Sequence, residues 1–206
     1  MTGGRALILA GTGMLPEAAE TLVRQGWRVV LPSRRYQPLA VPEIVVPETK
    51  PGIAALQRLR PPGHLPQAFA DDMRGGRAVW VEASWDRPAE LANKAATALD
   101  GEADLLVAWV HDQYRVDVMR AVEPLLARTA GVVEVRTSDW PLFEPEPVLA
   151  EHPTQLVLLG AVSEPDYGRA PSHSEIAEGT MVAVRRALER HPASVHQIGH
   201  ARPMVR

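Results

Sequence analysis

The chain has 206 residues, a formal net charge of −3 at pH 7 and no cysteine. Its length fits one domain, and the lack of cysteine excludes disulfides, thiolate metal ligands and a cysteine nucleophile. The slightly acidic balance argues against non-specific nucleic-acid binding. No apolar run reaches the roughly 20 residues of a membrane span, and no secretory leader is recognisable, so we expect a cytoplasmic protein.

The first 31 residues predict a strand–helix–strand unit. Ala6 to Ala10 form a short apolar run that closes on a glycine, as a buried strand does. Pro16 suits the first position of a helix, and Gly26 suits the left-handed residue that follows one. Trp27 to Leu31 are the next predicted strand. The apolar positions of the intervening helix fall on one face: Leu15, Ala18, Ala19, Leu22 and Val23.

The later elements continue this alternation around two proline-rich segments. Residues 32–76 and 137–153 are predicted to be irregular excursions, with one short helix near 53–59. Strands are predicted at 78–83, 104–110, 131–136, 155–159 and 194–198, and helices at 88–99, 114–127 and 172–190. The last helix begins with the capping box Ser172–Glu175. Strands alternating with helices predict a single α/β domain with a Rossmann-like, doubly wound parallel sheet.

The turn after the first strand has the composition of a nucleotide-binding loop. Gly11 permits a tight turn, and Gly13 lets the backbone approach a pyrophosphate that faces the free N–H groups of the following helix. Pro16 stands where the dinucleotide fingerprint has a third glycine. A sharp turn that needs small residues but holds no ligand is the alternative. The predicted cofactor contacts here are Gly11, Thr12, Gly13, Met14 and Leu15.

The end of the second strand predicts which cofactor is preferred. An NAD-selective site usually has an acidic residue there for the ribose 2′-hydroxyl, whereas this chain has Ser33, Arg34 and Arg35. A guanidinium binds a 2′-phosphate through paired hydrogen bonds and stacks on adenine. The three residues therefore favour NADP(H) as the cofactor, and a solvated basic turn in an arginine-rich chain is the alternative.

Three segments give the chain a resemblance to a known superfamily. They are AGTGML at residues 10–15, DLLVAWVH at 104–111 and EIAEGTMVAVRRALERHPASVHQIGHARP at 175–203. In their order and content they resemble the short-chain dehydrogenases/reductases, in particular small atypical members. The resemblance covers much of the chain but not the two excursions. It implies a Rossmann fold with NAD(P) bound across the strand ends, where Ala108 and Trp109 would also contact the cofactor.

The chain departs from that superfamily in the residues that do its chemistry. The usual tyrosine followed four residues later by lysine is missing, since Tyr36, Tyr114 and Tyr167 are followed at that spacing by alanine, valine and proline. That lysine holds the nicotinamide ribose and lowers the pKa of the tyrosine. The asparagine–glycine signature of the fourth strand is absent as well. Ordinary carbonyl reduction is therefore in question.

Two other side chains are candidates for moving a proton. His111 directly follows the apolar run that ends at Val110, and Tyr114 lies about one helical turn further on. A parallel strand would deliver both to the carboxyl edge of the sheet, where histidine can exchange protons near neutral pH. A polar helix start with Asp112 near the cap is the alternative interpretation.

The remaining polar groups give weaker signals. Ser163 and Tyr167 could flank the same cleft but fit a surface loop better, and Glu82 and Asp86 could contact adenine or ribose or simply end a strand and cap a helix. The histidines at positions 191, 196 and 200 lack a carboxylate at motif spacing, so no metal site is predicted. The nucleophile-elbow and P-loop patterns of hydrolases and NTPases are absent.

Together these features predict an NADP(H)-dependent oxidoreductase that transfers hydride to or from a small organic substrate without the usual tyrosine–lysine pair. The alternative is a non-catalytic NADP(H)-binding protein, either a redox sensor or a regulatory subunit. The expected partner is a small-molecule substrate, with no nucleic acid and no membrane, and formation of a homo-oligomer is left open.

Overall fold

A computed structural model describes residues 3–46, 75–137, 147–160 and 169–199. These residues contain eight strands and four α-helices. The strands are β1 (Arg5–Leu9), β2 (Arg28–Ser33), β3 (Glu43–Val46), β4 (Arg77–Glu82), β5 (Ala103–Ala108), β6 (Leu126–Thr137), β7 (Thr154–Leu159) and β8 (Ser194–Ile198). The helices are α1 (Pro16–Arg24), α2 (Pro88–Leu99), α3 (Asp112–Val122) and α4 (His173–Leu188).

The eight strands form one sheet in the order β3-β4-β2-β1-β5-β6-β7-β8. Every neighbouring pair runs parallel. The chain moves outward in one direction from β1 and in the other direction from β5, so the strand order reverses between these two strands. The predicted doubly wound parallel sheet is confirmed.

Helices cover both faces of the sheet. Helices α1 and α4 pack on the face that carries Ile8 and Val107, while α2 and α3 pack on the face that carries Leu7 and Leu106. All four of these strand side chains are fully buried. Burial from both sides explains why β5 is apolar throughout from Leu105 to Ala108.

The first unit follows its sequence signals closely. Pro16 occupies the first turn of α1, and Gly26, with φ of 89°, is the left-handed residue after it. The five predicted inward positions of α1, from Leu15 to Val23, are all buried. The capping box of α4 is also confirmed, since Ser172 accepts from the Glu175 N–H and the Glu175 carboxylate accepts from the Ser172 N–H.

Three predictions about the elements are wrong. The predicted excursion at 32–76 contains β3, which pairs with β4 at the edge of the sheet. The sequence analysis missed this strand because prolines flank it, although proline is tolerated beside edge strands. Helix α3 ends at Val122 instead of Ala127, because Pro124 lies in a short 3₁₀ turn and cannot donate a helical hydrogen bond. Strand β6 then begins at Leu126, earlier than predicted.

Some predictions fall outside the described residues. They are the short helix near 53–59 and most of the excursion at 137–153, of which 147–153 is described and contains neither helix nor strand. Among the helices that are described, none is long and apolar enough to cross a membrane.

Candidate functional site

A cleft of about 390 Å³ opens beyond the carboxyl ends of the strands where their order reverses. Ligands of open α/β sheets bind at this position. Seven of the ten predicted cofactor residues line it, as does the predicted catalytic residue His111. Those seven are Thr12, Gly13, Met14, Ser33, Arg34, Arg35 and Trp109. The cleft thus joins sequence positions that lie about 100 residues apart.

The turn after β1 is built differently from the prediction. The residue in left-handed conformation is Ala10, with φ of 70°, and not Gly11. The Ala10 carbonyl oxygen accepts from the N–H groups of Gly13, Met14 and Leu15 at 3.1–3.2 Å. These three N–H groups close the turn and are not free for a pyrophosphate. Any anion here therefore relies on the N-terminus of α1 and on nearby cationic side chains.

The two glycines of the turn have different surroundings. A Cβ on Gly11 would lie 2.2 Å from Leu31 Cδ2, so Gly11 permits close packing against β2. A Cβ on Gly13 would meet only the Ala10 carbonyl oxygen, at 3.8 Å. The space beside Gly13 is open toward the cleft, which fits the close approach of a ligand to the backbone.

Three predicted cofactor residues do not line the cleft. Leu15 and Ala108 are each 1% exposed and belong to the core, and Gly11 faces Leu31. Each of the three is the neighbour of a residue that does line the cleft. The sequence pattern alone does not separate residues that shape the loop from residues that face the cleft.

The Ser33–Arg35 segment presents its charges to the cleft. The Ser33 hydroxyl accepts from Trp80 Nε1 and donates to the Arg35 carbonyl oxygen, both at 2.8 Å. The side chains of Arg34 and Arg35 are exposed, and within the described residues neither guanidinium forms a hydrogen bond. The turn is held by Ser33, and both arginines line the cleft.

A cluster of four aromatic rings borders the cleft. Trp85, in the loop after β4, lies 6.4 Å from Trp109, 5.4 Å from His111 and 6.3 Å from Tyr114 between ring centroids. Trp109 and His111 are 4.9 Å apart. Sequence reasoning missed Trp85, although a tryptophan directly after a strand at the carboxyl edge is a signal that could have found it.

The two predicted proton donors differ in their access to the cleft. His111 is the N-cap residue of α3, its side chain is exposed, and it lines the cleft. Tyr114 is partly buried and contacts Trp85, but it does not line the cleft. The structure brings both rings into one cluster and favours His111 for contact with a ligand.

Ion pairs fix the start of α3, and with it His111. Arg115 forms a two-pronged pair with Glu134 of β6, whose side chain is almost completely buried. This hydrogen bond raises the pKa of the Arg115 guanidinium. Arg136 of β6 contacts Asp112 at 2.6 Å. Two charged contacts between neighbouring elements hold the first turn of α3 against the sheet.

The weaker candidates are two described carboxylates and two residues outside the described ranges. A hydrogen bond with Ser84 lowers the pKa of the Asp86 carboxyl, and the charge of Arg34 lowers it further. Glu82 is exposed at the end of β4, and neither carboxylate lines the cleft. Ser163 and Tyr167 lie outside the described residues.

The predicted histidine group is only partly described. His191 contacts Glu189 and His196 contacts Gln155, whereas His200 lies outside the described residues. In the described ranges, no group of three or more histidine, cysteine, aspartate or glutamate residues could hold a metal ion.

No protein-family model and no curated protein matches this chain. Solved structures do match. One is NADH-dependent reductase A1-R′ complexed with NAD, with a TM-score of 0.59, 14% identity and coverage of 96% of this chain and 95% of that one. The chain has the fold of the short-chain dehydrogenases/reductases. At this level of identity the similarity establishes the fold.

Two further structures support the same conclusion. A short-chain dehydrogenase/reductase mutant from Serratia marcescens has a TM-score of 0.57 and 13% identity, covering 96% of this chain and 97% of that one. L-Sorbose reductase from Gluconobacter frateurii, complexed with NADPH and L-sorbose, has a TM-score of 0.54 and 15% identity. The match covers 98% of this chain and 97% of that one. This short-chain dehydrogenase/reductase fold extends over almost the whole chain.

Proposed function

We propose that the protein is an NADP(H)-dependent oxidoreductase of the atypical short-chain dehydrogenase/reductase type. It transfers hydride to or from a small organic substrate in the cytoplasm. The observation that carries the proposal is a single cleft that joins the open backbone at Gly13 to the side chains of Arg34 and Arg35, whose guanidinium groups form no hydrogen bond to the described part of the chain.

The residues at the cleft fit a phosphorylated dinucleotide. The open space beside Gly13 suits a pyrophosphate close to the backbone. Arg34 and Arg35 suit a 2′-phosphate, because guanidinium groups bind phosphate oxygens through paired, charge-assisted hydrogen bonds. Ser33 keeps the Arg34–Arg35 turn in place through its bond to the Arg35 carbonyl.

The chain's own chemical contribution is to position reactants and move a proton. When bound, the nicotinamide cofactor supplies the hydride chemistry. The rings of Trp85 and Trp109 contact His111 on one side of the cleft. A ring nitrogen of His111 donates a proton to the substrate or accepts one from it, with Tyr114 as the second candidate.

The alternative function is a non-catalytic NADP(H)-binding redox sensor or regulatory subunit. The missing tyrosine–lysine pair favours it, because the group that normally activates the proton donor is absent from the sequence. Both functions use the same cofactor site, but only the enzyme converts a substrate in repeated cycles.

Titrations with NADPH and NADH test the cofactor assignment. Each charge-assisted hydrogen bond to phosphate contributes about 1.5–3 kcal/mol, so we expect NADPH to bind about tenfold or more tighter than NADH. The Arg34→Ala/Arg35→Ala variant should lose this preference. The control variant Arg24→Ala/Arg120→Ala removes two exposed arginines that do not line the cleft and should keep it. Equal affinities in the parent protein would refute the NADP(H) assignment.

Absorbance at the reduced-nicotinamide band separates the two functions. Steady oxidation of NADPH with a panel of small carbonyl and imine compounds supports the enzyme. Tight binding of NADPH, without turnover of any compound in either direction, supports the sensor.

A further inference from the structure

Three aromatic side chains line the cleft at the carboxyl edge: Trp85 after β4, Trp109 after β5, and His111 at the start of α3. Both indoles are partly buried and the imidazole is exposed. Mutual packing accounts for Tyr114, which contacts Trp85 without lining the cleft, whereas the other three rings also form its wall. Aromatic side chains in the wall of a cleft are typical of sites for small molecules. We call these three side chains the cleft rings.

Backbone hydrogen bonds hold the two tryptophans in place. The Trp109 N–H donates to the Leu9 carbonyl oxygen at 3.2 Å, which continues the pairing of β5 with β1. Trp85 lies in a tight turn that the Arg87 N–H closes on the Ser84 carbonyl oxygen, also at 3.2 Å. A ligand that binds to rings fixed in this way costs little further conformational entropy.

The cleft rings meet edge to face. The interplanar angles are 63° between Trp85 and Trp109, 72° between Trp85 and His111, and 61° between Trp109 and His111. A ligand ring that is parallel to one of them is therefore steeply inclined to the other two. Stacked and edge-to-face contacts are both favourable, because the face of an aromatic ring is negative and its edge positive. A saturated group gains the apolar contact alone.

The charges at the cleft decide which kind of aromatic group fits. Aromatic side chains also attract cations. The charged side chains that line this cleft, however, are those of Arg34 and Arg35, and no aspartate or glutamate in the described ranges lines it. A cationic ligand would meet two positive charges without a carboxylate to offset them. The cleft therefore favours a neutral or anionic ring.

We propose that the substrate carries a planar aromatic ring, neutral or anionic, next to its reacting group, and that Trp85 and Trp109 bind this ring. The proposal rests on the proposed oxidoreductase function and names the substrate class of that site. A ring bound to the two indoles brings the reacting group close to His111, because the imidazole lies 5.4 Å from Trp85 and 4.9 Å from Trp109 between ring centroids.

Two matched ketones test the proposal on the full chain without added cofactor. Acetophenone carries a phenyl ring, and cyclohexyl methyl ketone carries a saturated ring on the same methyl ketone. In saturation-transfer NMR titrations, acetophenone should bind about threefold or more tighter, because aromatic pairs contribute beyond their buried area. The saturated ketone is the more hydrophobic of the two, so apolar burial alone would give the opposite order.

A charged pair tests the second part of the proposal. The anionic ring ketone 4-acetylbenzoate should bind at least as tightly as acetophenone, whereas the cationic N-methyl-3-acetylpyridinium should bind more weakly. Tighter binding of the cation would contradict the assignment of a neutral or anionic ring.

Substitutions at one cleft ring locate the binding site. Trp85→Leu should abolish the preference for acetophenone, and Trp85→Phe should keep most of it. The control Tyr36→Leu removes an exposed aromatic ring that does not line the cleft, and it should leave the preference unchanged. In the parent protein, acetophenone should shift the indole N–H signals of Trp85 and Trp109. It should leave that of Trp27, which is 5% exposed in the core, in place.

Two results on the parent protein would overturn the proposal. One is binding of cyclohexyl methyl ketone that is equal to or tighter than binding of acetophenone. The other is displacement of acetophenone by adenosine 2′,5′-bisphosphate, because the cleft rings would then hold the adenine of the cofactor.

A separate titration with NADPH distinguishes failure of the proposal from failure of the proposed function. Binding of NADPH without a preference for acetophenone would contradict the substrate class and leave the oxidoreductase function standing. A preference for acetophenone without binding of NADPH would support the ring site and contradict the function.

Discussion

The two edges of the sheet hold clefts of similar volume, about 390 and 380 Å³, and both are lined by arginines. At the carboxyl edge, Arg34 and Arg35 follow β2 in a turn and are exposed. At the amino edge, Arg5 and Arg28 belong to strands and are held by helix carbonyl groups. The first pair is adjacent in sequence, whereas strand register assembles the second. The arginines at the carboxyl edge thus lie in an exposed turn, whereas two of those at the amino edge form hydrogen bonds to the end of α2.

The largest expected effect concerns chemistry at the carboxyl edge. Loss of a general acid typically lowers the rate about 10²–10⁴-fold. His111→Ala should therefore reduce turnover by that factor, while NADPH affinity hardly changes, because His111 lies at the aromatic end of the cleft away from Arg34 and Arg35. Tyr114→Phe should have a smaller effect, since Tyr114 does not line the cleft. Steady-state kinetics and a separate cofactor titration measure the two quantities.

A matched change at the amino edge provides the control for this prediction. Arg28→Gln changes an arginine that binds the Ala98 carbonyl oxygen at the amino edge, and it should leave turnover within a few-fold of the parent. If His111→Ala and Tyr114→Phe both keep near-parent turnover, the proton comes from water, from the substrate or from another residue, and our assignment of the donor is wrong.

Two valine substitutions in the turn after β1 distinguish a glycine that permits packing of the turn, Gly11, from a glycine that faces the cleft, Gly13. A side chain at Gly13 would enter the open cleft, so Gly13→Val should fold normally and bind NADPH more weakly. Overpacking of about 1–3 kcal/mol corresponds to roughly 5–150-fold in affinity. Gly11→Val should instead destabilise the protein by at least a similar free energy, because its Cβ would lie 2.2 Å from Leu31 Cδ2. Urea unfolding and NADPH titration of both variants separate the effects, and unchanged NADPH binding by folded Gly13→Val would show that the cofactor lies elsewhere.

The sequence predicted features whose signals are local. The first strand–helix–strand unit, the apolar run of β5 and the capping box of α4 all depend on residues within one or two turns of each other. The predictions for the glycine-containing turn after β1 and for Arg34–Arg35 depend on local signals as well. Each is a short motif at the end of a strand.

Features that depend on register or on loop direction were not predictable. Arg5, Arg28 and Arg77 are far apart in sequence, and only the pairing of three strands aligns them. Trp85 contacts Trp109 and His111 because the ends of β4 and β5 lie at the same edge. Strand β3 was missed because its four residues stand between prolines.

Substitution of Arg28 at the amino edge should change stability, with a smaller effect than the substitutions at the carboxyl edge described above. Arg28→Gln removes two hydrogen bonds to the Ala98 carbonyl and a favourable charge at the end of α2. For a partly exposed group this should lower the free energy of unfolding by about 1–2 kcal/mol, without changing the affinity for NADPH. Urea unfolding measures the change. The control Arg24→Gln removes an exposed pair with Glu20 and should shift stability by less than about 0.5 kcal/mol. Equal effects of both substitutions would mean that the hydrogen bonds of Arg28 do not support the fold.

The smallest effect on stability is expected at the start of α4, which lies at the carboxyl edge and carries exposed charges. Hydrogen bonds from Arg169, and then from the Ser172 N–H, lower the pKa of the Glu175 carboxyl to about 2. A carboxyl whose pKa is lower in the folded state stabilises the fold above its unfolded pKa, about 4.3, and this contribution is lost as pH falls from there toward 2. Glu175→Gln should therefore be less stable than the parent at pH 7, and the two should converge near pH 2. Urea midpoints across this range measure the difference, with Glu178→Gln, an exposed glutamate on the same helix, as control. Parallel curves for Glu175→Gln and the parent from pH 7 to 2 would show that solvent and salt screen this network completely, in contrast to the part-buried arginines at the other edge.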